Sequence, residues 1–322
     1  MLNYPLKFKP ILKEKIWGGT KLITQFNKES ELQNIGESWE ISDVDESVSI
    51  VSNGVLKDTS LRELLENYKS DLIGKNNYAN FGNNFPLLIK FIDAKRDLSV
   101  QVHPNNKLSK ARHNSFGKTE MWYIMQAEET ARLILGFKER ITPDKYVSLL
   151  EDKKIMSVLN EVYVKSGDAF FIETGTVHSI GSGVVLAEIQ QTSDITYRIY
   201  DFDRVDDEGN ERELHTELAI EALNLSDSVE AKREYTKEKN VLNEVVSCEY
   251  FKTNFIPLKG KAELDYSQID SFIIFMCVEG SAEIKIFSAT ETICLGETVL
   301  IPAIAQKVTL FSENCKLLEV TI

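Results

Sequence analysis

The sequence predicts a mostly β protein in two parts, a larger N-terminal domain followed by a smaller all-β one. Three observations predict it. Short runs of alternating apolar and polar residues, bounded by turn residues, recur along the chain, the period-two signal of half-buried strands. Helical periodicity is confined to a few short segments. A charged stretch with little apolar content, residues 226–240, interrupts the alternating runs and reads as a linker. The division this predicts is residues 1–235 and 236–322.

The clearest helix is expected over residues 60–72, where Leu61, Leu64, Leu65, Tyr68 and Leu72 share a face. Ser60 and Glu63 form a capping box before it, and Gly74 stops it. A second is expected over 142–150, opened by Thr142 as N-cap and Pro143 at the first helical position. A third is expected over 216–223. Everything else of regular structure should be strand. A weak internal repeat supports this: GDAFFIETGTVH (167–178) and GETVLIPAIAQK (296–307) share one form and length, which sets His178 opposite Lys307. In the same way EMWYIMQAEE (120–129) matches SFIIFMCVEG (271–280), setting Glu120 opposite Ser271.

With 322 residues the chain has ample length for a core, and 43% hydrophobic with 27% charged residues excludes a disordered chain. The opening MLNYPLKFKPILKEK contains no apolar run of signal-peptide length, and no stretch approaches a membrane span. The expectation is a cytoplasmic protein with no membrane partner. A net charge of −13 opposes association with nucleic acid, itself a polyanion. A phosphorylated small molecule stays open, because it needs only a few local cations. The cysteines Cys248, Cys277, Cys294 and Cys315 lack CxxC spacing and sit among strand-like residues, so buried thiols are expected rather than disulfides or a metal site.

The chemistry starts at DLSVQVHP (97–104). Alternation places Leu98, Val100 and Val102 on one face of a strand and Ser99, Gln101 and His103 on the other. An imidazole and an amide oxygen two residues apart on one face suit a first-row metal ion. Glu120 opens the next strong strand, and His178 follows a TGT turn after the apolar run AFFI. Each alone is an ordinary surface or loop residue. Together, in a chain with four histidines, Gln101, His103, Glu120 and His178 form a set able to hold zinc with open positions, or equally iron(II). Lys118, two residues before Glu120, should point the same way. In DITYRIYDFDR, Arg198 alternates onto the polar face, where its forked guanidinium could hold a phosphate or a developing oxyanion. His113 and His215 have no partners at ligand spacing and read as surface residues. Lys90, Lys95 and Arg96 read as a solvated basic face, and the acidic segment 201–213 as an exposed loop.

Taken together, WGG (17–19), GESWEIS (36–42), PLLIKFIDA (86–94), LSVQVHP (98–104), GKTEMWYI (117–124), GTVHSIG (175–181) and QTSDITYRIYDF (191–202) resemble the type I mannose-6-phosphate isomerases. The resemblance covers about the first two thirds of the chain in order. It implies a cupin-type β-barrel (jelly roll) catalytic domain with a few helices, then a smaller degenerate cupin barrel. It implies one Zn2+ per chain on Gln101, His103, Glu120 and His178. Glutamine in the first position suits the isomerases better than the histidine-rich cupin oxygenases. It further implies Arg198 near the reacting carbons and Lys118 beside the metal as catalytic residues, with Ser99, Lys118 and Arg198 contacting a sugar phosphate. The implied reaction interconverts mannose 6-phosphate and fructose 6-phosphate through an enediol, with Lys118 and a water on the ion as competing bases. A monomer or weak homodimer is expected. With only residues 137–161 between the strand after Glu120 and the one leading to His178, the chain resembles the short bacterial form, which lacks a large helical insert. An iron-dependent oxygenase and a non-catalytic sugar-binding cupin are the competing readings.

Overall fold

A computed structural model describes residues 2–205, 208–226 and 230–322; residues 206–207 of the acidic segment and 227–229 of the linker lie outside the described residues. Two sheets form the larger part. A seven-stranded sheet runs in the order Ile11–Gly19, Ile35–Ile41, Leu87–Ala94, Val184–Gln191, Glu120–Ala127, Ala169–Ile172, Lys232–Arg233. Facing it, a five-stranded sheet runs Tyr197–Tyr200, Val100–Val102, His178–Ile180, Arg132–Phe137, Leu159–Tyr163. All pairings are antiparallel, so strand after strand keeps one face inward. Trp17, Ile92, Trp122, Phe170 and Leu186 of the first sheet pack against Leu133, Leu135 and Ile180 of the second, which closes one end of the space between them. The other end holds polar residues.

The outer faces are covered differently. Val100, Val102, Tyr197 and Ile199 on the back of the five-stranded sheet pack with Tyr146 and Ala219 from two helices, Pro143–Glu151 and Thr216–Ala222. The back of the seven-stranded sheet shares one core with the C-terminal part, where Ile89, Phe91 and Ile189 meet Phe255, Ile274 and Leu318. The C-terminal strands form a six-stranded antiparallel sheet rolled around its own apolar interior, including Ile256, Phe275, Val299 and Leu317. Position 235/236 falls between Lys232–Arg233, which pairs with the first sheet, and Asn243–Ser247, which pairs with the last.

The expected 60–72 helix is broken. Ser60 caps Leu61–Tyr68 with a reciprocal box, worth about 1 kcal/mol, but Lys69 takes a positive φ of 49° and a separate turn, Ser70–Ile73, follows. The helices Lys75–Phe81 and Asn106–His113 carry no clear apolar stripe and were not expected; Asn105 caps the second by accepting from Leu108 N at 3.0 Å. In the repeat, Lys307 and His178 each begin a strand, Lys307 exposed and His178 buried. Cys277 and Cys315 are buried free thiols, whereas Cys294 is exposed and Cys248 half-buried, against expectation.

Candidate metal centre

Strand register carries the expected ligands to the polar end of the space between the sheets. Gln101 lies opposite His178 on one side and Arg198 on the other, and Glu120 faces them from the seven-stranded sheet, paired with Gln190 and Ile172. Alternation holds for Gln101 and Arg198 but fails at Leu98, which joins the inner core instead of the outer one with Val100 and Val102. One donor atom each from His103, Glu120 and His178 lies within 4.8 Å of the others, and all three residues are buried.

Each imidazole is anchored through Nδ1, which donates to a backbone carbonyl: His103 to Ile195 O and His178 to Thr176 O, both at 2.9 Å. That fixes the tautomer and leaves both Nε2 lone pairs turned inward. Burial, with the Lys118 charge adding to it, holds the His103 pKa well below its ordinary value; burial pushes His178 down to about 4. Both rings are therefore neutral at pH 7. Burial pushes the Glu120 carboxyl up to about 7, against the pull of Lys118. Among the described residues its Oε1 has no hydrogen-bond partner, a costly state for a buried carboxylate oxygen.

Lys118 shows what that space attracts. Its Nζ lies 2.5 Å from Glu120 Oε2 and 3.0 Å from His103 Nε2, so an ammonium sits against two of the would-be metal donors. The Gln101 amide reaches His178 Nε2 at 3.3 Å, and turning that amide over presents its oxygen at the same place. Two imidazole nitrogens, a carboxylate and an amide oxygen form a donor set that fits zinc, and the same set suits iron(II).

A cavity of about 400 Å³ opens beside these donors, with Gln101 and Lys118 in its wall. Ser99 is buried and lines it, its Oγ 3.5 Å from Gln101 Oε1. Arg198 lines it too. His215 accepts from the Arg198 backbone N–H at 3.1 Å and donates its own to Arg198 O at 2.7 Å, so this histidine is a clamp on the arginine rather than a bystander. Arg198 Nη1 donates to Glu213 O at 2.7 Å, while Nε is buried without a partner.

Sequence reasoning missed the opposite wall. Lys90 is not solvated: 5% exposed, it meets Glu188 at 3.0 Å and Glu37 at 3.9 Å. Trp122 Nε1 donates to Glu188 at 2.8 Å and Trp39 Nε1 to Glu37 at 2.6 Å. Burial would raise the Glu188 carboxyl, but Lys90 and Lys118 outweigh it and hold the group at about 2. The available signal was a lysine and a glutamate, each flanked by apolar residues, inside the strands LLIKFIDA and VVLAEIQQ. The acidic segment was also misread at Asp201, which is buried and clamped by Arg204 and Arg212, the latter at the cavity wall.

The family model for the catalytic domain of type I phosphomannose isomerase matches residues 6–130, and that for the mannose-6-phosphate isomerase cupin domain matches residues 241–322. Over 283 residues the chain is 38% identical to mannose-6-phosphate isomerase ManA of Bacillus subtilis, covering 87% of each protein. It is 32% identical over 299 residues to mannose-6-phosphate isomerase of Streptococcus mutans, covering 92% of each. The crystal structure of mannose 6-phosphate isomerase from Bacillus subtilis superimposes with a TM-score of 0.90 at 32% identity, over 99% of this chain and 100% of that one. The fold is accordingly of the cupin β type.

Proposed function

Because the chain belongs to the type I mannose-6-phosphate isomerase family, we propose that it interconverts mannose 6-phosphate and fructose 6-phosphate through an enediol, with one zinc ion on Gln101, His103, Glu120 and His178. The observation that carries the zinc assignment is the buried Glu120 Oε1, without a donor, among two neutral inward-facing imidazoles. Zinc there would supply Lewis acidity toward the substrate's carbonyl and hydroxyl oxygens.

The chain's own residues supply the rest. Moving a proton between C2 and C1 places negative charge on an oxygen, and a fixed cation in a buried site stabilises it at no reorganisation cost. Arg198 is that cation: clamped by His215, it keeps an unpartnered Nε beside the cavity. Lys118, at the same end, is the residue we assign to carry the proton. Ser99 orients the substrate from the wall beside Gln101. Packing of Trp17, Ile92 and Leu98 around the cavity limits water at the reacting carbons.

The test is to strip the metal with a chelator, restore zinc, and couple fructose 6-phosphate formation to a dehydrogenase assay. Zinc should restore turnover that the stripped protein lacks. A zinc-loaded protein that leaves mannose 6-phosphate untouched, beside an iron-loaded one that consumes oxygen, contradicts the assignment.

A further inference from the structure

We propose that Lys13 and Lys15, two residues apart on the strand Ile11–Gly19, hold the substrate's phosphate at the end of the cavity remote from the metal donors, an inference that rests on the isomerase reading above. Both side chains line the same cavity as Gln101 and Lys118. Register fixes the offset between the two ends along the strands. Lys13 pairs with Glu37, Glu37 with Ile92, Ile92 with Leu186 and Leu186 with Ile124, a row four residues along from Glu120. At a strand rise of about 3.3 Å per residue the two rows are offset by roughly 13 Å along the strand direction, so the lysines and the metal donors sit at different levels of the cavity.

Of the cavity's basic residues, Arg198 is assigned above to the reacting oxygen, and the others differ in how far carboxylates already match them. Lys90 is matched by Glu188 at 3.0 Å, Lys118 by Glu120 at 2.5 Å, and Arg212 by both oxygens of Asp201. Among the described residues, Lys13 meets no carboxylate; its Nζ donates to Ser47 Oγ at 2.7 Å and lies 4.7 Å over the Trp39 ring. Lys15 meets Glu37 at 3.2 Å, yet Glu37 also accepts from Trp39 at 2.6 Å and lies 3.9 Å from Lys90. It stays satisfied if Lys15 turns to an anion. Lys13 thus brings positive charge that no carboxylate among the described residues matches, and Lys15 charge that shares Glu37 with Lys90, to the cavity of a protein whose net charge is −13, which suits a dianionic phosphate.

The strand is also shaped for this. Register slips between Lys13 and Glu14, leaving Gly36 unpaired on the neighbouring strand. The Lys15 stem and the Trp17 ring cross that glycine so closely that an added Cβ would stand 2.7 Å from Lys15 Cγ and 2.6 Å from Trp17 Cζ3. Gly36 is what lets Lys15 lie over the sheet towards the cavity.

Lys13→Met, Lys15→Met and the double variant, each zinc-loaded and checked for fold by circular dichroism, should be assayed with mannose 6-phosphate and titrated calorimetrically with inorganic phosphate. Each single change should raise KM at least tenfold with kcat within about threefold, the double variant should lose phosphate binding, and Lys13→Arg should recover most of the loss. An unchanged KM, a fall in kcat at constant KM, or phosphate binding that survives in the double variant overturns the proposal. If the unaltered protein binds phosphate but does not turn over mannose 6-phosphate, the isomerase reading fails, and the phosphate titration still decides the subsite.

Discussion

Lys90→Met tests the buried charge chain behind the candidate site. Lys90 is the cation between Glu37 and Glu188, and the Lys90 and Glu188 side chains are 6% and 4% exposed. Removing it leaves Glu188 with Lys118 as its remaining nearby cation. The magnitude follows from the Glu188 carboxyl, held at about 2 against an ordinary 4.5. At about 1.4 kcal/mol per unit, that depression represents about 3 kcal/mol at neutral pH, in line with the roughly 3–5 kcal/mol expected when one partner of a buried pair is deleted. A depressed carboxyl contributes stability that is complete above its unfolded pKa and lost as pH falls through the folded one. In the variant that contribution is missing and the carboxyl rises, so the deficit should be largest near neutral pH and shrink below about pH 5. Urea unfolding of chelator-treated protein near pH 7.5 and near pH 3.5 measures both. Lys90→Met combined with Glu188→Gln should recover most of the loss, since neither buried charge is then left alone. A deficit under about 1 kcal/mol near pH 7.5, or one independent of pH, would refute the reasoning.

Two further outcomes follow from the structure. Glu319, buried in the C-terminal part and accepting from Asn254 at 2.6 Å, has its carboxyl pushed up to about 7 by burial. Its stabilising contribution is complete below the unfolded value of 4.5 and lost as pH rises through 7, so Glu319→Gln should gain about 3 kcal/mol over the unaltered protein at pH 8 and almost nothing at pH 4, measured by denaturant unfolding. Arg198→Gln should lower kcat about 10²–10³-fold with a smaller change in KM, because the charge acts on the developing oxyanion; steady-state kinetics check it, and a change in KM alone would count against that role.

How much of this was legible in the sequence depends on which physical signal carried each residue. Gln101 and Arg198 were readable because period-two alternation is rigid along a strand, and the structure pairs them directly. His103, Glu120 and His178 were readable only as a set, since each alone looks like a loop or surface residue, and the family resemblance supplied what spacing could not. Lys90 and Glu188 were misjudged or unseen because a buried ion pair is invisible until both strands are placed side by side; their register, Lys90 opposite Glu188, is a tertiary fact. Asp201 was lost within an acidic run whose composition suggested solvent, although two arginines bury it. The helix Asn106–His113 was missed for the opposite reason: its cap is clear, but it has no apolar stripe to announce it.

The central claim is that Gln101, His103, Glu120 and His178 hold one divalent ion. Anomalous diffraction at the zinc edge from crystals of zinc-loaded protein tests it most directly. The account predicts a single strong peak bounded by both Nε2 atoms, a Glu120 oxygen and the Gln101 amide oxygen at about 2.0–2.2 Å, with Lys118 displaced from Glu120. A peak elsewhere, or these four side chains turned away from a common point, would contradict it.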